Sequence, residues 1–235
     1  MENVNEKLKA LLMENGADLV GFADLRGTAV HEMLDYPFGV SIAVKYAPAA
    51  LKDLEHGPTH EYYADYKKIN TLLGELSRIG AEFLKSEGYS SRSFQATDEG
   101  FIPGLAHTTY LPHKTPATLS GLGWIGKCAL LVTEEYGSAV RLTSILTDCA
   151  LECGVPARDS NCGDCTECVA HCPGKAANGR DWTAGMSREA FYDPDACRTA
   201  ARVLAVERTG IIGTFCGICI AVCPYTKKYI SSFSA

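Results

Sequence analysis

Hydrophobic and polar positions in the first 150 residues recur with both helical and strand periods. Apolar residues every three or four positions predict a helix that Asn3 caps and Gly16 ends, and a long helix from His60 to Glu87. Short runs rich in apolar and β-branched residues predict strands at 18–23, 40–46 and 91–96. The pattern therefore predicts an α/β domain.

The later part of this region is less regular. Glu135-Tyr136-Gly137 separates two β-rich runs, 129–134 and 138–148, which predicts a β-hairpin. Residues 97–120 show no period and hold His107, Tyr110 and His113. A loop of this length indicates a lid or binding loop, and the alternative is a surface excursion with incidental histidines.

The composition changes after about residue 150. The chain has 235 residues, which suits one large domain or one medium and one small domain. Its C-terminal part is rich in cysteine, glycine and proline and is too short to build an apolar core except around bound groups; residues 196–208 predict one helix there. We therefore predict two consecutive domains, 1–150 and 151–235.

Eight cysteines in the second part have a spacing typical of two 4Fe-4S clusters. They are Cys162-x2-Cys165-x2-Cys168-x3-Cys172-Pro173, the isolated Cys197, and Cys216-x2-Cys219-x3-Cys223-Pro224. Three thiolates of a C-x2-C-x2-C run reach one cluster, and the fourth cysteine of the run ligates the other cluster. The predicted ligand sets are Cys162, Cys165, Cys168 and Cys223 for the first cluster, and Cys172, Cys197, Cys216 and Cys219 for the second.

Structural zinc and disulfides are the alternatives for these cysteines. Zinc sites use separated C-x2-C pairs, which a triple run followed by C-x3-C-P does not match. Disulfides are disfavoured because the total of eleven cysteines is odd and no secretory segment is visible, which predicts a reducing compartment. No apolar run approaches the roughly 20 residues that cross a membrane. We expect a soluble, cytoplasmic protein with no membrane partner.

A glycine-rich segment, Gly121-Leu122-Gly123-Trp124-Ile125-Gly126-Lys127, follows the irregular stretch. Glycines allow backbone to approach a bulky ligand, Trp124 offers a flat apolar face, and Lys127 offers a point charge. The alternative is a glycine-rich turn beside a core tryptophan. The segment matches neither common nucleotide-binding pattern.

The order of segments resembles the epoxyqueuosine reductases and their relatives, the reductive dehalogenases. The segments are GADLVGFADL, VSIAVKY, GLGWIGK, LLVTEEYGSAVRLTSILTD and the cysteine series. The resemblance implies an α+β chain: a nitroreductase-like α/β sandwich domain that binds cobalamin, followed by a ferredoxin-like domain with two 4Fe-4S clusters. It also implies a reductase in which the clusters pass single electrons to the corrinoid and then to a substrate.

The same resemblance implies site residues. Those expected to line the corrinoid are Gly121, Gly123, Trp124, Gly126 and Lys127. Epoxyqueuosine reductases carry a proton-donating aspartate shortly before the glycine-rich segment, whereas Ala106 and His107 stand there in this chain. His107 is therefore the first candidate proton donor, followed by Tyr110 and His113, because an imidazole titrates near neutral pH. This departure makes the substrate an unidentified one.

Charge and the remaining cysteines complete the expectations. The formal net charge of -6 disfavours a nucleic-acid partner such as tRNA, because proteins that bind nucleic acid usually carry a basic footprint. We expect a small-molecule substrate and an electron donor such as a flavodoxin or ferredoxin. The alternative function is a non-catalytic electron-transfer protein whose N-terminal domain docks a partner. Cys128 and Cys149 are expected to be small buried residues, with two open alternatives: a role for Cys128 near the cofactor, and a metal or redox pair of Cys149 and Cys153.

Overall fold

The computed structural model describes residues 3–97, 102 and 107–233. In chain order its helices and strands are α1 (Val4–Glu14), β1 (Leu19–Asp24), α2 (Ala29–Leu34), β2 (Phe38–Lys45), α3 (His60–Ser86), β3 (Ser91–Ser93), α4 (Lys114–Leu119), β4 (Trp124–Ile125), β5 (Leu131–Val132), β6 (Val140–Thr147), α5 (Glu167–Ala170), α6 (Pro194–Thr209), α7 (Ile218–Ala221) and α8 (Pro224–Ser231). The chain is thus a mixture of helix and sheet, as predicted.

The chain forms two compact units, and each is assembled from three stretches. Unit 1 comprises Met1–Val44, Ile69–Leu122 and Arg141–Ala157, and unit 2 comprises Lys45–Lys68, Gly123–Val140 and Arg158–Ala235. These units differ from the predicted consecutive domains, 1–150 and 151–235. Two earlier stretches, 45–68 and 123–140, supply unit 2 with further buried apolar residues such as Leu54 and Val132.

Unit 1 is built on a four-stranded sheet with the strand order β1-β2-β6-β3. β1 and β2 pair antiparallel with Val20 opposite Ile42, and β3 and β6 pair antiparallel with Arg92 opposite Leu146. A Cβ atom at Gly80 of α3 would lie 2.5 Å from Ile145 Cδ1. This glycine lets α3 approach the sheet closely. One apolar core cluster of the unit consists of Ala23, Leu25, Val30, Phe94, Leu111 and Leu146.

The predicted ends of the first and third helices are confirmed. The Asn3 side chain accepts a hydrogen bond from the backbone N–H of Asn5 at 3.2 Å and caps α1. Gly16 and Gly88 follow the two helices with φ of +106° and +92°, a backbone region that glycine adopts at low cost. Local signals therefore predicted the ends of these helices to within about two residues of their observed positions.

The predicted β-hairpin is wrong, although its turn forms. Thr133 and Gly137 exchange backbone hydrogen bonds of 2.9 and 3.0 Å. Beyond that turn, β5 pairs with β4, and β6 takes an interior place in the larger sheet. The last five residues of β6 are all buried. The backbone N–H and C=O groups of a buried strand are paired when it lies between two neighbouring strands. The irregular stretch also contains a short helix, α4.

Unit 2 has an aromatic core to which the stretch 45–68 contributes. Tyr46 stacks on Tyr62 with ring centroids 5.0 Å apart, and Tyr63 stacks on Phe215 at 4.6 Å. The Tyr229 hydroxyl donates to the backbone oxygen of Tyr46 at 2.8 Å. These contacts anchor the cysteine-rich tail. Across the described residues of both units, each helix is too short or too polar to cross a membrane.

Candidate functional site

The first cysteine run folds as a tight loop followed by a helix. The N–H of Cys165 donates to the backbone oxygen of Cys162 at 3.2 Å. Gly163 between them has a φ of +54°, so a left-handed residue makes this turn. Thr166 begins the single turn of α5, which carries Cys168. A short sequence thus turns three thiols towards the same space.

The second run uses the same local devices. Gly217, which follows Cys216, has a φ of +87°, and α7 then carries Cys219. Cys223 is the N-cap residue of α8, with Pro224 at the first helical position. A Cβ atom at Gly217 would lie 2.7 Å from the Leu54 side chain. Both left-handed geometry and close packing therefore require glycine here.

Two cysteine-lined cavities lie in unit 2. Cavity I has an empty volume of about 410 Å³, and cavity II one of about 400 Å³. Cavity I is lined by the four cysteines of the predicted second set, which are Cys172, Cys197, Cys216 and Cys219. Cavity II is lined by the four of the first set, which are Cys162, Cys165, Cys168 and Cys223. The structure brings together the thiols of each predicted set.

The chemistry of these cavities suits clusters of several irons. Within the described ranges no three His, Cys, Asp or Glu side chains converge closely enough to hold a single metal ion. The thiols instead surround a volume, as cluster ligands do. Burial raises the pKa of Cys216 and Cys197, because a buried thiolate lacks a compensating charge. Bound iron would supply that charge.

The two cavities share part of their walls. Cys128, Cys168 and Cys219 line both of them. Cys128 is 6% exposed. The two cavities are therefore neighbours with three cysteines in common.

Lys127 of the glycine-rich segment reaches the first cysteine loop. Its ammonium donates to the backbone oxygen of Gly163 at 2.6 Å and to that of Cys165 at 3.1 Å. It also lies 3.6 Å from a carboxylate oxygen of Asp181. Lys127 is only 4% exposed and lines cavity II together with Gly126. The structure thus places these two residues against a cluster cavity.

The three glycines of the segment are packed against other parts of the protein. A Cβ atom at Gly121 would lie 2.6 Å from the backbone oxygen of Val155, and one at Gly123 would clash with the backbone oxygen of Val132. At Gly126 it would meet the Val132 side chain at 2.8 Å. At each of these glycines the space that a Cβ atom would take is therefore filled by another part of the protein. A corrinoid contact of the segment stays a prediction.

Trp124 belongs to the same segment and is buried in unit 2. Its ring meets the Tyr225 ring edge-on, with centroids 5.0 Å apart. Its indole nitrogen has no hydrogen-bond partner in the part of the chain that the structure describes. Tyr225 itself lines cavity II. Trp124 therefore supports the wall of this cavity from behind.

The three candidate proton donors differ in their surroundings. His107 has a left-handed φ of +54°, and residues 103–106 before it lie outside the described residues. Tyr110 is 38% exposed. The two ring nitrogens of His113 are held, Nδ1 by Ser144 Oγ at 3.0 Å and Nε2 by the backbone oxygen of Gln95 at 2.9 Å. Both ring nitrogens of His113 are thus engaged within unit 1.

Some residues at the cavities had no signal in the sequence. Tyr192 lines cavity I together with Cys197, yet it belongs to no recognisable motif. Asp181 pairs with Lys127 from a segment without regular structure. Cys149 and Cys153 line neither cavity. The Cys153 thiol bonds to the backbone oxygen of Leu151 at 3.3 Å.

Comparison with known proteins gives the class. Residues 161–226 match a family described as a 4Fe-4S double cluster binding domain. This range contains all eight cysteines of the two predicted sets. With the paired cavities, the match defines an iron–sulfur protein with a 4Fe-4S double cluster binding domain in its C-terminal part.

Similarity to curated proteins shows the relatives of the chain. The chain is 31% identical over 184 residues to epoxyqueuosine reductase of Gloeobacter violaceus, covering 68% of this chain and 54% of that protein. It is 39% identical over 123 residues to the enzyme of Lactococcus garvieae, covering 50% and 32%. This chain thus spans between about a third and a half of the length of these relatives. The chain is therefore related in sequence to the epoxyqueuosine reductases.

Solved structures share the fold. A reductive dehalogenase, described with a mechanism for B12-dependent dehalogenation, superposes with a TM-score of 0.71 at 20% identity, over 93% of this chain and 31% of that one. An epoxyqueuosine reductase bound to a tRNA stem loop superposes with a TM-score of 0.63 at 22% identity, over 96% and 66%. The predicted nitroreductase-like and ferredoxin-like α+β architecture is confirmed at the level of the fold.

Proposed function

We propose that this protein is a reductase that takes single electrons through two 4Fe-4S clusters and passes them to a corrinoid and then to a substrate. The observation that carries the proposal is the pair of cysteine-lined cavities with a shared wall. Adjacent clusters form a relay with an entrance and an exit. The family matches support the clusters, and the enzyme names of the relatives support catalysis.

The protein's own residues would hold and insulate the clusters. In this proposal Cys162, Cys165, Cys168 and Cys223 bind one cluster, and Cys172, Cys197, Cys216 and Cys219 bind the other. Lys127 ties the loop of the first cluster through two backbone oxygens. Its buried positive charge would offset part of the negative charge of four thiolates. When bound, each cluster supplies one-electron chemistry.

The corrinoid is supported by the likeness of fold to a dehalogenase described as B12-dependent. The glycines of the 121–127 segment are packed against other parts of the protein, and their contact with a corrinoid is part of the proposal. A two-electron reduction would draw two single electrons through the clusters in turn, and it needs protons. His107 and Tyr110 are the proposed proton donors, because His113 has both nitrogens engaged.

The substrate is proposed as a small molecule or a modified nucleoside in tRNA. The net charge of -6 argues for the small molecule. The tRNA stem loop bound to an epoxyqueuosine reductase of the same fold makes a nucleic-acid substrate possible. Incubation of the reduced protein with a tRNA stem loop that carries epoxyqueuosine, followed by mass spectrometry of the nucleoside, separates the two. Conversion would favour tRNA, and an unchanged nucleoside would favour the small molecule.

Anaerobic purification tests the clusters and the corrinoid separately. About eight irons and eight sulfides per chain are expected for two 4Fe-4S clusters. Titration with cobalamin, followed by absorbance and EPR, should then change the corrinoid spectrum. Eight irons without a spectral change would overturn the corrinoid and leave the clusters standing. Much lower iron and sulfide after reconstitution would overturn the relay itself.

The electron-transfer module without catalysis remains the second candidate, but no contact in the described residues favours it. The relatives of this chain that are reported above carry the names of enzymes. A reduced flavodoxin or ferredoxin is the proposed donor for either function. Stopped-flow mixing with reduced flavodoxin should show bleaching of the cluster absorbance as the clusters are reduced.

A further inference from the structure

Helix α6 separates cavity I from the surface of unit 2. Three of its residues, Cys197, Ala200 and Ala201, line the cavity. With a rotation of about 100° per residue, Arg202 and Val206 lie on the opposite side of the helix, and both are exposed. A helix with its side chains is about 10–12 Å across. Only one helix thickness therefore lies between this surface and the cavity assigned to the second cluster.

The exposed face of α6 carries apolar side chains. Val203 is 51% exposed and Val206 is 48% exposed, and residues at i and i+3 are neighbours on a helix surface. The loop between α6 and Cys216 exposes a third large apolar residue, Ile212, at 83%. Neighbouring apolar side chains that stay exposed mark sites where other molecules bind.

Arginines accompany these valines. Arg198 and Arg202 are exposed and lie one helical turn apart, on the same side of α6 as Val206. Residues 194–214 hold three arginines against two acidic residues, Asp195 and Glu207, whereas the whole chain has a formal net charge of -6. This face is thus locally positive on an acidic protein, and it is complementary to an acidic partner with an apolar contact surface. We call Arg198, Arg202, Val203 and Val206 the α6 patch.

We propose that the α6 patch is the docking surface for the electron donor, and that this donor is a reduced flavodoxin. The inference rests on the proposed function. A flavodoxin is an acidic protein whose flavin exposes an apolar edge, so it matches both the arginines and the valines of the patch. In the complex the donor passes one electron from its reduced flavin to the oxidised second cluster, and no covalent bond forms or breaks.

The position of the patch agrees with the direction of the proposed relay. Two of the residues predicted to line the corrinoid, Gly126 and Lys127, line cavity II, and neither lines cavity I. An electron that enters beside α6 therefore reaches the second cluster first and the first cluster next. The second cluster is the entrance of the relay.

Arg202→Glu is the test variant for the charge, and Lys228→Glu is its control. Both residues are exposed, belong to unit 2 and change the net charge equally. Stopped-flow mixing of the cluster-loaded chain with reduced flavodoxin gives the rate constant of cluster reduction, and calorimetry with oxidised flavodoxin gives the Kd. At low salt Arg202→Glu should lower the rate constant roughly tenfold and raise the Kd, while Lys228→Glu should stay near the wild type. High salt should reduce the difference.

Val206→Ser tests the apolar part of the patch without a change of charge. It should raise the Kd for flavodoxin roughly fivefold at low and at high salt, because apolar contact area is lost. Val155→Ser, at a valine of unit 1 that is 85% exposed, should bind flavodoxin as the wild type does. Equal Kd values for the two valine variants would show that the patch has no apolar contact with the donor and would overturn the inference.

Dithionite separates docking from damage to the clusters. It is a small reductant without a docking surface, so it should reduce all variants at the wild-type rate. A rate in Arg202→Glu that falls equally with dithionite and with flavodoxin would place the effect at the cluster and overturn the inference. Equal rate constants and Kd values for Arg202→Glu and Lys228→Glu would also overturn it. A dependence on Arg202 with reduced ferredoxin alone would show that flavodoxin is the wrong partner.

The wild type distinguishes this inference from the proposed function. A wild type that holds about eight irons but neither binds flavodoxin nor accepts its electrons would overturn the docking surface alone. A wild type without clusters after reconstitution would overturn the proposed function, and the Kd values of the variants would still decide whether flavodoxin docks on α6.

Discussion

Lys127 donates a hydrogen bond of 2.6 Å from its ammonium to the backbone oxygen of Gly163, across 36 positions of the chain. A second bond, to the backbone oxygen of Cys165 at 3.1 Å, makes the same side chain a clamp on the loop of the first cluster. The segment that resembles a cofactor-binding loop therefore also has a structural task in unit 2.

Lys127→Met should destabilise that loop. Two backbone oxygens lose a buried charged donor, at a cost of about 1–3 kcal/mol. Loss of the positive charge should also lower the reduction potential of the first cluster relative to the wild type, and by more than that of the second cluster. Iron retention and EPR-monitored redox titration measure both effects. Lys228→Met, at an exposed lysine of α8, is the control, and equal behaviour of the two variants would refute the clamp.

Cys223→Ala should remove the cluster assigned to Cys162, Cys165 and Cys168, and leave the other. The iron content should fall from about eight to about four per chain. The reason is that the last cysteine of the second run completes the first ligand set. Cys153→Ala, outside both cavities, should keep all its iron. EPR identifies the surviving cluster by comparison with Cys197→Ala; the same surviving signal in both variants would show that the crossed ligation is wrong.

Gly137→Ala should destabilise unit 2 more than its φ alone explains. Gly137 has a φ of +59°, and a Cβ atom there would clash with the backbone N–H of Thr226. The positive φ costs about 1 kcal/mol, and the forced backbone shift about 1–3 kcal/mol more. Gly210→Ala, at a φ of +70° with no atom within 4 Å, carries the first cost only. Chemical denaturation should show a larger loss of unfolding free energy in Gly137→Ala than in Gly210→Ala. Equal losses in the two variants would contradict the packing argument.

His113→Ala should lower the stability of unit 1 by about 2 kcal/mol, because two hydrogen bonds are lost and Ser144 is left buried without its partner. Thermal and chemical denaturation measure the change. His56→Ala, at a histidine whose side chain is 70% exposed, should have almost no effect. A His113→Ala variant as stable as the wild type would contradict a stabilising role for these two hydrogen bonds.

The stability of the protein should fall at high pH in part through Cys149. Burial raises the pKa of its thiol in the folded protein. The folded chain therefore holds this proton after the unfolded chain has lost it, above about pH 8.5. Folding then becomes less favourable as pH rises. Denaturation of the wild type and Cys149→Ala at pH 7 and pH 10 should show a smaller change in unfolding free energy in the variant. An equal change in both proteins would contradict this prediction.

Much of the local structure could be predicted from sequence because its causes are local. Asn3, Gly16 and Gly88 mark helix ends through their own side chains or φ angles. The hairpin around Tyr136 could not be predicted correctly. Its turn forms locally, but the partners of the flanking strands are chosen by burial in two different sheets.

The domain division could not be predicted for a similar reason. A boundary near residue 150 follows the change in composition, whereas compact units follow contacts between distant stretches. Leu54 packs against Gly217, and Tyr63 against Phe215. Residues 45–68 therefore belong with the cysteine-rich tail, although their own composition is that of an ordinary amphipathic helix and its preceding turn.

The sequence by itself determined the two cysteine runs, their pairing into sets and the family resemblance, because ligand spacing within a short loop is a local property. Only the tertiary structure decided what surrounds the sets. It placed Lys127 on the first loop, Tyr192 beside Cys197, and Cys128 between the two cavities. These positions depend on packing between residues far apart in the chain, and no spacing pattern records that packing.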